Sequence, residues 1–181
     1  NPSAWLWDFG NGNTSILENP IAVYNNPGSY DVVLKVTDRI DNDIKIISSF
    51  IIVFEKPSPL IHVNSGVDGC LPLFTSFQDI TNTNSSIVSW QWDFGDGGSS
   101  NFQNPDYIYL NQGLYSVALS VIDTNGCENL VSEFDLINVY NTPEANFSAD
   151  ILFSCDSSEL VSFSNNSLFS SDFFWNFGDG S

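Results

Sequence analysis

Trp92-Asp93-Phe94-Gly95-Asp96-Gly97 is the stretch that decides the fold, because the chain carries it nearly three times, with one Asp-to-Asn change in each of the other copies. Trp7-Asp8-Phe9-Gly10-Asn11-Gly12 is a second copy, and Trp175-Asn176-Phe177-Gly178-Asp179-Gly180 a third. The copies start 85 and 83 residues apart, the length of a whole small domain rather than of a solenoid rung. Residues 5–38 fall on 90–123 without a gap, and 17 of these 34 positions are identical, so the repeat extends well past the hexapeptide. Trp5 meets Trp90, Tyr24 meets Tyr109, Gly28 meets Gly113, Tyr30 meets Tyr115 and Asp38 meets Asp123. Upstream, Pro57 matches Pro143 and Cys70 matches Cys155. The reading is three units: 1–56 without its beginning, 57–141 complete, and 142–181 without its end. Residue 1 is not Met and opens no signal peptide, so the natural protein is expected to continue in both directions.

Composition narrows the function classes. No apolar run is long enough to span a membrane, so direct insertion is not expected. The net charge is −18, and all four basic residues (Lys35, Arg39, Lys45, Lys56) lie in the first unit. Phosphate binding needs basic side chains, so nucleic acid is excluded as a partner, and an anionic membrane surface with it. An acidic surface suits solubility, repulsion between arrayed units, or cation binding.

The apolar residues alternate as in strands. Tyr115, Val117, Leu119 and Val121 are spaced by Ser116, Ala118 and Ser120, the period of a half-buried strand. Tyr30, Val32, Leu34 and Val36 repeat it. Ile87–Phe94 reads as a second strand, with Trp90, Trp92 and Phe94 on one face and Trp92 as the central core aromatic. Leu60–Val63, Leu73–Phe77, Asp106–Leu110 and Leu130–Val139 are further strands. Asp96-Gly97 and Asn11-Gly12 signal hairpins with type I′ turns, and Asn125-Gly126 marks another hairpin. Six or seven short strands in about 85 residues, with no helical segment, predict an all-β, immunoglobulin-like sandwich for each unit.

The combined pattern resembles the polycystic kidney disease (PKD) module. It is carried by Trp92–Gly97, Asn104-Pro105, Tyr109, Gly113, Tyr115, Val117, Leu119, Val121 and Asp123. The first unit matches through Trp7, Asn19-Pro20, Tyr24, Gly28, Tyr30 and Asp38, and the third through Trp175–Gly180. The resemblance implies tandem seven-stranded β-sandwiches used as extracellular spacers or interaction modules, with Trp7, Trp92, Trp175, Tyr30 and Tyr115 as core residues. Gly69-Cys70-Leu71-Pro72-Leu73 and Asn125-Gly126-Cys127 resemble the disulfide-bearing variety, typical of giant Bacteroidota surface adhesins associated with gliding motility and type IX secretion. A Cys70–Cys127 bridge would imply an oxidising compartment; the alternative is two free buried thiols. Asn42 replaces Cys127 in the first unit, which puts the bridge in doubt there.

Catalytic chemistry finds little support. The one histidine, His62, cannot supply a triad or a His-based metal site to every unit. Gly95–Gly98 precedes no helix and is a turn rather than a phosphate loop. Asp93 and Asp96 are a possible acid–base pair, but they become Asn176 and Asn11 in other units, an exchange that better fits turn capping or oxygen ligation. Calcium at Asp93 and Asp96 is the ligand reading, although Ca²⁺ needs six to eight oxygens. Trp90, Trp92, Tyr107, Tyr109 and Tyr115 form either core or a sugar-stacking platform. The expectation is a non-enzymatic segment of a large secreted or cell-surface bacterial protein. It would act as a rigid spacer or filament, requiring no cofactor. Its partners would be neighbouring units, other surface proteins or polysaccharide. The alternative is a set of substrate-engaging accessory modules of a secreted protease or chitinase.

Overall fold

A computed structural model describes residues 2–150 and 160–178 of the chain. Cys155 and Asp179-Gly180 lie outside these residues. All fourteen elements among the described residues are strands, as the alternation predicts. The first unit holds β1 (Ala4–Asp8), β2 (Thr14–Ser15), β3 (Gly28–Thr37) and β4 (Asn42–Val53), in one sheet of order β2-β1-β3-β4. The middle unit holds β5 (Ile61–Ser65), β6 (Asp68–Cys70), β7 (Leu73–Asp79), β8 (Ile87–Asp93), β9 (Ser99–Ser100), β10 (Asp106–Tyr109), β11 (Gly113–Asp123) and β12 (Glu128–Tyr140). They build a three-stranded sheet, β10-β7-β5, against a five-stranded one, β6-β12-β11-β8-β9. β13 (Phe147–Ala149) and β14 (Phe163–Asn165) pair in the third unit.

The middle unit is a sandwich because each sheet presents one apolar face. Leu73, Thr75 and Phe77 of β7 point inward, and Val117, Leu119 and Val121 of β11 meet them. Trp92 and Phe94 lie between, both fully buried, with Phe77 at 5.6 and 5.2 Å from their ring centroids. Burying Val117, Leu119 and Val121 contributes about 1.5–3 kcal/mol each. The first unit repeats the architecture of β8, β9, β11 and β12, down to a bulge at the same place. The register of β3 on β4 shifts between Tyr30 and Val32, and that of β11 on β12 between Tyr115 and Val117. The residues opposite, Ser49 and Asp135, both take positive φ, 50° and 53°.

Three expectations are corrected. The middle unit holds eight strands, β5 to β12, rather than six or seven, because the short β6 and β9, without clear alternation in sequence, are held as strands by their neighbours in the sheet. The turn after β8 is not type I′. Gly95 and Gly97 have positive φ but Asp96 does not, and Phe94 N–H donates to the Gly98 carbonyl across a wider loop.

The third correction is the disulfide. β6 pairs parallel with the last residues of β12, so that Cys70 lies beside Tyr140. Cys127 precedes the first residue of β12, in the β11–β12 hairpin. A strand of that length places the two cysteines roughly 40 Å apart. A disulfide needs Cα atoms within about 7 Å. Both are free thiols here, Cys70 exposed and Cys127 half-buried. The repeat placed both cysteines in one unit, but only strand pairing shows that they occupy opposite ends of it.

Candidate functional site

The repeated hexapeptide forms a corner, and its first four residues are built alike in all three units. The Trp and Phe rings stack at 6.4 Å and 12° for Trp92 and Phe94, 6.3 Å and 12° for Trp7 and Phe9, and 6.1 Å and 10° for Trp175 and Phe177. Trp92 Nε1 donates to the Phe102 carbonyl (3.0 Å), and Trp7 Nε1 to that of Leu17 (3.1 Å). Tyr109 Oη donates to the Phe94 carbonyl at 3.1 Å, and Tyr24 Oη to that of Phe9 at 3.1 Å. Trp92, Trp7, Tyr109 and Tyr24 thus each bring their polar atom to a backbone acceptor, which is what burial demands.

The acidic positions are turn caps. Asp93 Oδ1 accepts the Gly95 N–H at 2.9 Å, Asp8 Oδ1 that of Gly10 at 2.9 Å, and Asn176 Oδ1 that of Gly178 at 2.9 Å. Asp96 Oδ1 accepts the Gly98 N–H (2.9 Å), and Asn11 Oδ1 that of Asn13 (3.0 Å). The turn needs one side-chain oxygen at each place, and Asp and Asn both supply it. Asp93→Asn is therefore expected to leave the urea midpoint nearly unchanged, whereas Asp93→Ala loses about 0.5–1.5 kcal/mol. An Asn variant as unstable as the Ala variant would show that the charge, not the acceptor, matters.

Asp96 makes one contact that Asn11 does not. It accepts the Tyr107 hydroxyl at 2.8 and 2.9 Å, while Asn11 Nδ2 donates to the Val23 carbonyl (2.9 Å). Tyr107 stacks on Phe94 at 3.9 Å, and burial, then the Asp96 hydrogen bond, push its phenol up to about 12. Asp93 Oδ1 and both Asp96 oxygens already accept backbone N–H or hydroxyl groups, so the turn uses them as caps. Among the described residues, no group of three or more His, Cys, Asp or Glu side chains stands close enough to hold a metal ion.

Two other carboxylates do structural work that the sequence hardly signals. Asp123, 1% exposed, accepts the Ser85 hydroxyl and the backbone N–H groups of Asn125 (2.9 Å) and Cys127 (2.8 Å). The Ser85 hydrogen bond, followed by those from the backbone, holds its carboxyl below the usual carboxylate range. A depressed folded pKa contributes stability that is present above the unfolded value, about 4, and is lost as pH falls through the folded one. The urea midpoint of the chain is expected to fall as the pH is taken below about 4, and Asp123→Asn to flatten that fall. An unchanged acid slope in the variant would remove Asp123 as its cause. Asp79 accepts the Thr81 N–H (2.8 Å), its hydroxyl, and Trp90 Nε1 (2.7 Å). The Asp-x-Thr spacing of Asp79 and Thr81 was the available signal for such a turn.

Among the described residues, no aromatic platform or catalytic set is assembled. Trp92 and Tyr109 are fully buried, and Trp90, Tyr107 and Tyr115 pack against the same core. Trp7, Trp175 and Tyr30 are half-buried. His62 is exposed on β5. A cleft of about 610 Å³ lies in the third unit between Phe147, Phe163, Trp175 and Phe177. Phe163, Trp175 and Phe177 are the counterparts of Phe77, Trp92 and Phe94, so its wall is the inner face of a sandwich, not a ligand site.

The PKD domain family matches residues 1–48 and 55–139. The chain belongs to the PKD domain family. The PKD domain is itself a non-catalytic module. The chain is 44% identical over 71 residues to a microbial collagenase of Vibrio alginolyticus, covering 39% of this chain and 9% of the relative. It is 35% identical over 77 residues to the collagenase ColQ1 of Bacillus cereus, covering 41% and 8%. It is 28% identical over 130 residues to the pre-pro-metalloprotease PrtV of Vibrio cholerae, covering 71% and 14%. The chain thus spans a small fraction of the length of these relatives. The PKD1 domain of V. cholerae PrtV resembles it at 28% identity and TM-score 0.41, covering 49% of this chain and all of that one. That of Vibrio anguillarum Epp gives 24% and 0.42 with the same coverage. Gliding adhesins of Bacteroidota, the finer expectation, have no counterpart among these proteins.

Proposed function

We propose that these PKD units are non-catalytic accessory modules of an extracellular hydrolase that engage a polymeric protein substrate. Matches to two collagenases and a metalloprotease support the enzyme class. The observation that carries the engagement is the outer face of the β10-β7-β5 sheet. Ile108 and Phe74 stand opposite each other there, 42% and 65% exposed, while the inner residues of the same strands are buried. Apolar side chains paired across a solvent-facing sheet give a protein polymer a flat surface to lie on. Co-sedimentation of the chain with insoluble collagen tests this. Binding that Phe74→Ser and Ile108→Ser together weaken at least tenfold supports the reading; no sedimentation overturns it.

A second reading, a rigid spacer, is favoured by how the ends of the middle unit are tied. Pro57 is fully buried and its carbonyl accepts Asn129 Nδ2 at 2.9 Å. Thr142 Oγ1 donates to the Leu71 carbonyl at 2.7 Å, fixing the outgoing linker.

A further inference from the structure

The two free cysteines lie where a unit meets its neighbours. The middle unit has a leading end, where the chain comes in at Pro57, and a trailing end, where it leaves at Asn141. Cys127 is at the leading end. Asn129, two residues on, donates to the Pro57 carbonyl, and the Cys127 N–H and carbonyl are both bonded to Asp123. Cys70 is at the trailing end, paired with Tyr140, while Leu71 N–H donates to the Tyr140 carbonyl at 3.0 Å.

The third unit begins at once. Glu144 bridges Leu168 as Ser58 bridges Asn82 at the start of the middle unit. Pro143 takes the place of Pro57. The counterpart of Cys127 in a unit that follows would therefore sit beside Pro143, three residues from the Tyr140 that pairs with Cys70. Three residues span at most about 11 Å.

We propose that the cysteines form disulfides between successive units: Cys70 with the counterpart of Cys127 in the unit that follows, and Cys127 with the counterpart of Cys70 in the unit before. Two thiols lose two protons and two electrons to a disulfide-type oxidant, such as oxidised glutathione or a dithiol oxidase, and one S–S bond forms across each junction. The exposed Cys70 and half-buried Cys127 are accessible to that exchange. Asn42, in place of Cys127, leaves the leading end of the first unit without a staple, so stapling is chosen junction by junction. Such a bond stiffens the joint rather than the sandwich. The proposal is independent of what the units engage.

The test is a non-reducing peptide map of the natural full-length protein, digested with pepsin because Lys and Arg are absent from residues 57–181. The expected result is a Cys70 peptide linked to the counterpart of Cys127 in the following unit, and a Cys127 peptide linked to the counterpart of Cys70 in the preceding unit; a Cys70–Cys155 linkage overturns the proposal. A Cys70–Cys127 linkage overturns the proposal, as does full alkylation of both cysteines without reduction. Cys70→Ser separates the cases again. Between-unit pairing leaves Cys127 protected from iodoacetamide and frees a thiol downstream, whereas pairing within the unit exposes Cys127.

Discussion

Trp92→Ala is expected to unfold the middle unit at room temperature or bring it close to unfolding. Replacing a buried Trp by Ala costs about 3–5 kcal/mol, against a total stability of about 5–15 kcal/mol for a domain. The site has no way to collapse. Trp92 is 0% exposed, wedged between Phe77 and Phe94 and backed by Leu119 on the neighbouring strand. The change also orphans the Phe102 carbonyl, which accepts Trp92 Nε1. Trp90→Ala, at a half-buried ring, is expected to cost clearly less. Urea denaturation followed by far-ultraviolet circular dichroism measures both; equal losses would mean that Trp92 is not the centre of the core.

Gly95→Ala is the second large effect. Gly95 sits at φ 83°, and a Cβ there would stand 2.4 Å from the Ser116 carbonyl oxygen on β11. Left-handed backbone costs a non-glycine residue about 1–2 kcal/mol, and the clash with a sheet backbone adds to it, for an expected loss of at least about 3 kcal/mol. Gly97 is the internal control. Its φ is 95°, yet nothing lies within 4 Å of its would-be Cβ, so Gly97→Ala should lose only the conformational part. Equal losses at the two positions would show that the approach to Ser116 is not felt. The first unit repeats the approach: a Cβ added at Gly10 would stand 2.4 Å from the Asp31 carbonyl oxygen.

The motif thus identifies a fold, and its glycines and oxygens are read by the chain's own backbone. Much of this was legible from the residues. Asp93/Asn176 and Asp96/Asn11 exchange Asp for Asn, which marks an acceptor role, and all four accept a backbone N–H in the structure. The alternation through Val117, Leu119 and Val121 marked a core face, and all three are fully buried. Tyr107 on Asp96, Trp90 on Asp79 and Ser85 on Asp123 were not legible, because each joins residues 11 to 38 positions apart.

The division is one of range. Strand period, turn chemistry and the count of repeats are set by residues within a few positions of each other, so the chain alone specified an all-β array with a Trp–Phe core at each corner. Which ends meet depends on long-range pairing. The parallel docking of β6 on the far end of β12 sends Cys70 to the trailing end, and the β11–β12 hairpin keeps Cys127 at the leading one. No local pattern encodes that separation, which sets the two cysteines too far apart to bridge within one unit.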